Sequence, residues 1–203
     1  MKKIINKLQR SGIMELIYSS FAVFFSMIIA RIKIFILRLR KYDIDYSVQL
    51  RKNALFFQSK KRAIKVGRNT IIGSGVSIKA GFGGEISIGK DSLIDDYCFI
   101  ASHKSIIIGE RTLVSGNCYI VDFNHKYPLS KYNVLDENAY IEKFVKIGSN
   151  VWIGAHVVIL PGVSVGDGAV IGAGSVVTKS IPSYSVAVGN PAKVMKTFRK
   201  AKR

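Results

Sequence analysis

Aliphatic residues return at every sixth position through most of this chain. From residue 64 onward the series runs Val66, Ile72, Ile78, then Ile88, Ile94, Ile100, then Ile108, Val114, Ile120. After a longer break it resumes with Ile147, Ile153, Ile159, Val165, Ile171 and Val177. All fifteen positions are Ile or Val. Six is neither a helical nor a hairpin period. As a multiple of two, it returns the same strand face inward at each step. The β-branched residue suits a short strand and fills an interior. A glycine often follows it (Gly67, Gly73, Gly89, Gly109, Gly148, Gly154, Gly166, Gly172), and is expected to permit the bend at the strand end. Four residues after the aliphatic position, small or β-branched residues recur, as at Val151, Val157, Val163, Ala169 and Ser175. One repeat cannot bury its apolar position alone, so the coils must stack. The pattern therefore predicts an all-β solenoid, a parallel β-helix of hexapeptide repeats.

Three interruptions break the period, near Ala80–Glu85, near His103–Ser105 and at Val121–Phe144. The last is the longest and most polar. A long loop extruded from a rigid coil is a natural place for chemistry.

Ahead of the repeat, residues 16–30 (LIYSSFAVFFSMIIA) carry no charge. This run of 15 falls short of the ~20 residues that a spanning helix needs. It has no small-x-small cleavage site, so it does not read as a cleaved signal peptide. Its apolar residues fall close to helical spacing and basic residues flank it, as in a helix lying in a membrane interface. The other reading is a helix packed on the protein or on its oligomer partner. The segment 1–45 is thus expected to be basic, apolar and helical. Peripheral membrane contact is expected through residues 1–42, at the inner face of the cytoplasmic membrane.

The net charge of +18 over 203 residues is uneven. Residues 1–41 carry nine cations and one acid, residues 51–68 seven cations and no acid, and residues 193–203 six cations and no acid. Such charge suits nucleic acid, anionic lipid or phosphorylated small molecules. No nucleic-acid-binding signature accompanies it, so nucleic acid ranks last. Cys98 and Cys118 form no metal-type spacing and read as buried thiols in a reducing, cytoplasmic compartment.

The stretch VWIGAHVVILPGVSVGDGAVIGAGSVVTKSIP, followed by AVGNPAKV, resembles the hexapeptide-repeat acyltransferases. Within them it is similar to the galactoside and maltose O-acetyltransferases and to those of capsule, O-antigen and exopolysaccharide synthesis. The resemblance covers roughly residues 64–196. It implies a left-handed β-helix, a homotrimer with active sites between subunits, and acetyl-CoA as donor, with no metal. Domain bounds follow as 46–182 for the catalytic β-helix with its loop at 121–146, and 183–203 for a basic C-terminal segment. The resemblance places the catalytic base at His125, in the long loop and shortly before Pro128. A sugar hydroxyl is a poor nucleophile, and a neutral imidazole can take its proton as the oxygen attacks a thioester. An oxyanion then needs a donor, expected from a backbone N–H of an adjacent coil.

Asn117 matches a slot of the motif eight residues before the histidine, and Asp122 is placed to bond His125 or a sugar hydroxyl. For both, hydrogen bonding within the loop is the alternative. Tyr97 and His103 fall where relatives contact the acceptor, with His103 as second candidate for the base. On the donor side, Trp152 matches the WIG motif near the pantetheine arm. Ala155 and Ala173 match small residues whose backbones face the donor. Thr178 and Lys179 match a TK pair. Lys193 and Lys196 stand where the galactoside type has arginines that meet coenzyme A phosphates.

The reading is a CoA-dependent O-acetyltransferase acting on a sugar hydroxyl of a bacterial surface glycan or its precursor. The alternatives are acetylation of a small amine or an antibiotic hydroxyl, and a non-catalytic membrane-bound scaffold. A zinc-dependent carbonic anhydrase would need three histidine ligands. The three histidines here, His103, His125 and His156, do not have that family's spacing.

Overall fold

The computed structural model describes residues 21, 24–127, 131 and 139–198. The chain winds into a left-handed parallel β-helix of triangular section, each turn contributing one short strand to each of three walls. The register stacks like on like. Ile44, Val66, Ile88, Ile108, Ile147 and Val165 form the inner column of the first wall. Leu50, Ile72, Ile94, Val114, Ile153 and Ile171 form that of the second. Phe56, Ile78, Ile100, Ile120, Ile159 and Val177 form that of the third. Every one of the fifteen repeat positions is at most 3% exposed.

The coil begins one turn earlier than the periodicity shows. Asp43–Ile44, Gln49–Leu50 and Leu55–Gln58 make a first turn whose marker positions are Ile44, Leu50 and Phe56. Here the second and third markers are Leu and Phe, and no glycine follows any of the three, so the turn lacks the signature of the later ones.

The glycines after the aliphatic positions do not make the bends. The left-handed backbone conformation falls two residues further on, at Asn69, Asp91, Arg111 and Asn150 on one edge and Tyr97, Asn117 and His156 on another. The glycines are needed for a different reason. A Cβ at Gly109 would lie 2.6 Å from the Gly148 carbonyl carbon of the next turn. The interior slot four residues after the aliphatic one also has a reason. Thr70, Ser92, Thr112 and Cys118 each turn their polar atom to a glycine carbonyl of the next turn: Gly89, Gly109, Gly148 and Gly154. A buried hydroxyl or thiol is thereby satisfied inside the prism.

Cys98 and Cys118 fill two of these slots and are both buried and free. The neighbouring Cys118 thiol and burial together push the Cys98 thiol upward.

A helix over residues 24–39 closes the open end of the prism. Ile34 and Leu37 enter the core. The first turn has carbonyls with no turn beneath them, and the cap supplies donors. Arg31 donates to the Tyr46 carbonyl, Lys33 to that of Ala54, Arg38 to that of Ile44 and the Tyr42 hydroxyl to that of Phe56. An otherwise exposed strand edge is covered in this way. The expected interfacial helix therefore packs one face on the protein and leaves the other, apolar, face outward. The part of that expectation on residues 1–20 lies outside the described residues. Among the described residues no helix is long and apolar enough to cross a membrane.

Candidate active site

All the insertions leave the coil between the third wall and the first, so they pile up on one edge of the prism. On this edge stand Gly81–Gly84, then the His103 corner, then the long loop. The loop is not wholly irregular. Its base is an antiparallel hairpin in which Phe123–His125 pairs with Tyr140–Glu142, placing His125 opposite Tyr140.

The hairpin is tied to the corner below by Asp122. This carboxylate is fully buried and accepts three bonds: from Ser102 Oγ at 2.7 Å, His103 N–H at 2.8 Å and Lys104 N–H at 3.0 Å. Hydrogen bonds to a charged acceptor are the strong kind. Asp122 therefore faces inward as a brace, not toward His125 or an acceptor. Nor are these bonds within its own loop, since Ser102, His103 and Lys104 belong to the preceding corner.

Above the brace lies an aromatic cluster. The His103 ring stacks on Phe123 with centroids 3.6 Å apart and planes 5° from parallel. Phe82 covers the cluster from the lower insertion, 4.4 Å from His103. Tyr140 meets His103 edge-on at 4.9 Å and His125 at 4.5 Å. Burial lowers the His103 pKa, while the nearby Asp122 and Glu142 charges act the other way. The His103 Nδ1 lies 3.9 Å from Glu142. His103 is thus a stacked, mostly covered member of the wall of the site. His125 is half-buried, and its Nδ1 is covered without a hydrogen-bond partner among the described residues.

Tyr97 and Asn117 stand on another edge, between the second and third walls, both exposed and both in the left-handed conformation. Successive turns continue that edge with His156 and Gly174, as the bonds from Asn117 N–H to Asp96, His156 N–H to Gly116 and Gly174 N–H to Ala155 show. Ala155 and Ala173 precede these last two, so two of the expected acceptor residues, Tyr97 and Asn117, share this column with two of the expected donor residues. The three histidines do not converge, because His156 is on this edge and the other two are not. Trp152 faces outward on the second wall, half-exposed, with Nε1 at 3.4 Å from Ser115 Oγ. Lys193 and Lys196 are exposed on the strand Lys193–Thr197, which runs antiparallel along the second wall. Thr178 and Lys179 are exposed beyond the last strand of the third wall, on the insertion edge.

Phe82, Phe123, Tyr140 and Glu142 were not anticipated. Tyr140 and Glu142 lie on a strand of three residues, too short to carry an alternation signal. Phe82 carries no such signal, since it meets His103 only through the stacking of turns.

A rigid prism with a histidine-bearing hairpin on one edge and a column of small residues on another has the form of an acyl-transfer catalyst. The sequence comparisons agree. Residues 144–179 match the family model described as bacterial transferase hexapeptide (six repeats). The Escherichia coli protein WbbJ, which carries the name of a lipopolysaccharide biosynthesis O-acetyl transferase, is 37% identical over 142 residues. The match covers 67% of this chain and 72% of the relative. A Mycobacterium tuberculosis protein named as an acetyltransferase is 37% identical over 66% of this chain, which spans only 44% of that longer relative. The crystal structure of a maltose O-acetyltransferase from Clostridium difficile superposes with a TM-score of 0.51 at 34% identity, over 71% of each chain. AntD, an N-acyltransferase from Bacillus cereus solved with dTDP and coenzyme A, shares the fold, with a TM-score of 0.71 at 20% identity over 81% of this chain and 88% of that one. The chain belongs to the hexapeptide-repeat acyltransferase family, and is an acyl-CoA-dependent acyltransferase.

Proposed function

We propose that the chain transfers an acetyl group from acetyl-CoA to a sugar hydroxyl of a bacterial surface glycan or its precursor, with His125 as general base. The single observation that carries the base assignment is the placement of His125 opposite Tyr140, at the end of the paired strands farthest from the coil. There Tyr140 packs on its ring, and its covered Nδ1, like that of His103, has no hydrogen-bond partner among the described residues. In the step, neutral His125 takes the hydroxyl proton as the oxygen attacks the thioester carbonyl. The C–O bond forms, the C–S bond breaks, and the thiolate leaves as coenzyme A thiol with a proton returned from the imidazolium. Lys179, Lys193 and Lys196 are exposed cations suited to the phosphates of the donor. The small residues Ala155 and Ala173 leave room for a ligand against the coil edge.

Within one chain the hairpin and the small-residue column lie on different edges. A site that uses both needs a second subunit, which supports a homotrimer. The outward faces agree with that reading. The second and third walls present Leu93, Leu113 and Trp152, and Leu55, Phe99 and Tyr119, whereas the first presents Lys65, Glu85 and Lys146. Apolar walls are suited to burial between copies. The apolar, cation-flanked N-terminal segment supports contact with the inner face of the cytoplasmic membrane.

The test is acceptor-dependent thiol release from acetyl-CoA over a panel of glycans, with wild type beside His125→Ala. A loss of about 10²–10⁴ in kcat, with coenzyme A binding retained, supports the assignment. Equal rates overturn it.

A further inference from the structure

We propose that the cap end of the prism is a docking face for an anionic lipid bilayer, which stands the prism upright on the membrane. Two independent features coincide at this end. The first is the outer face of the cap helix. At about 100° per residue, the exposed Phe25, Ile28, Ile29, Ile32, Phe35 and Leu39 occupy an arc of roughly 120° opposite the buried Ile34 and Leu37. Arg31 and Arg38 border this arc on one side, and Lys33 and Arg40 on the other. An apolar arc edged by cations is the pattern of a helix lying in a membrane interface.

The second feature is the first turn itself. Arg51 and Lys52 are exposed on the edge between the second and third walls, and Lys60, Lys61 and Arg62 on the edge between the third and first. Arg40 and Lys41 adjoin the latter group through the bond from Arg62 N–H to the Lys41 carbonyl. Residues 24–68 hold twelve cations against two acids, Asp43 and Asp45. At the opposite end, residues 145–198 hold four cations against one acid, and residues 199–203, outside the described residues, add four cations. The cations of residues 24–68 thus gather where the apolar face is.

This combination selects lipid over a second copy of the chain as the occupant. Two cap ends brought face to face would oppose like charges at short range, whereas anionic headgroups neutralise them. The consequence for the reaction rests on the transferase reading, though the docking geometry does not. The hairpin leaves the fourth turn, three coil spacings of ~4.8 Å above the first. With the ~10 Å helix beneath, His125 stands on the order of 20 Å from the bilayer surface. The acceptor is then a saccharide carried on a lipid, modified at a sugar held well out from the headgroups.

Flotation of the full chain with vesicles tests the docking. The vesicles are phosphatidylcholine alone or phosphatidylcholine with phosphatidylglycerol. Wild type should float with the second and not the first, and added salt should weaken binding. Lys52→Glu/Lys61→Glu/Arg62→Glu removes cations that make none of the ion pairs seen for Arg51 and Lys60. It should weaken flotation by on the order of a hundredfold. Ile32→Ser/Phe35→Ser should also release the protein, with its molecular mass in solution unchanged. Equal flotation with both vesicles, or no effect of either variant, overturns the proposal. A change of mass in the helix variant without loss of flotation gives the face to another copy, and likewise overturns it. Thiol release with a soluble acceptor is read in parallel. Flotation without turnover would count against the transferase reading alone, and turnover without flotation against the docking alone.

Discussion

The His125 ring packs on Tyr140 across the hairpin, and Tyr140 closes in turn on His103, so the two imidazoles share one aromatic neighbour. Their environments differ. His103 lies between Phe82 and Phe123 and is held neutral by burial, its pKa below the ordinary value of 6.5. The folded state thus binds a proton less readily than the unfolded chain. The stability linked to His103 is present above pH 6.5 and declines as pH falls below it. Thermal melts taken from about pH 7.5 down to about 5.5 should show a falling midpoint, and His103→Phe, which keeps the stack, should flatten that fall. An unchanged slope would remove His103 as its source. Asp122 shows where residue-level reading stops. Its place in the loop was legible, but its partners come from an insertion some twenty residues earlier that only coil stacking brings beneath it. Asp122→Ala leaves three donors without their acceptor. It should lower stability by about 3 kcal/mol in denaturant unfolding and cut turnover by disordering the base of the hairpin. A variant with native stability would contradict the brace.

At the scale of elements, the six-residue period was legible because each marker fills the same interior column, where only a β-branched or similar apolar side chain packs. The first turn was not, because capping by the helix replaces the stacking that the later markers report. Phe56 meets Tyr42, just after the cap helix, on one side. The role of the glycines was also hidden. Sequence places a glycine at the strand end, where a bend is expected, but the bend is made two residues later. The glycine answers instead to the backbone of the next turn. Gly109→Ala would force a methyl against the Gly148 carbonyl carbon and should cost about 1–3 kcal/mol in unfolding experiments, although its own backbone torsion is ordinary. If the glycine served only to relax the bend, the substitution would be nearly neutral. The hairpin within the long loop lay between the two kinds of signal. Its strands are three residues each, too short for alternation to announce them.

For the whole molecule, the arrangement of edges decides what one chain can do alone. The histidine hairpin and the column of Tyr97, Asn117, Ala155 and Ala173 do not meet within a protomer. The account therefore requires subunits to share sites across their apolar walls. Charge substitution on the third wall, Phe99→Lys with Tyr119→Lys, should shift the mass by light scattering from trimer to monomer and abolish turnover together. A monomeric wild type would contradict this arrangement. The central claim is the acyl transfer itself. Its most direct test is coenzyme A thiol release from acetyl-CoA by the purified full chain with glycan acceptors, measured beside His125→Ala and with coenzyme A binding measured for both. The account predicts acceptor-dependent release that collapses in the variant while donor binding persists. Release that is equal in both proteins, or a wild-type protein that neither binds coenzyme A nor releases thiol, would contradict it.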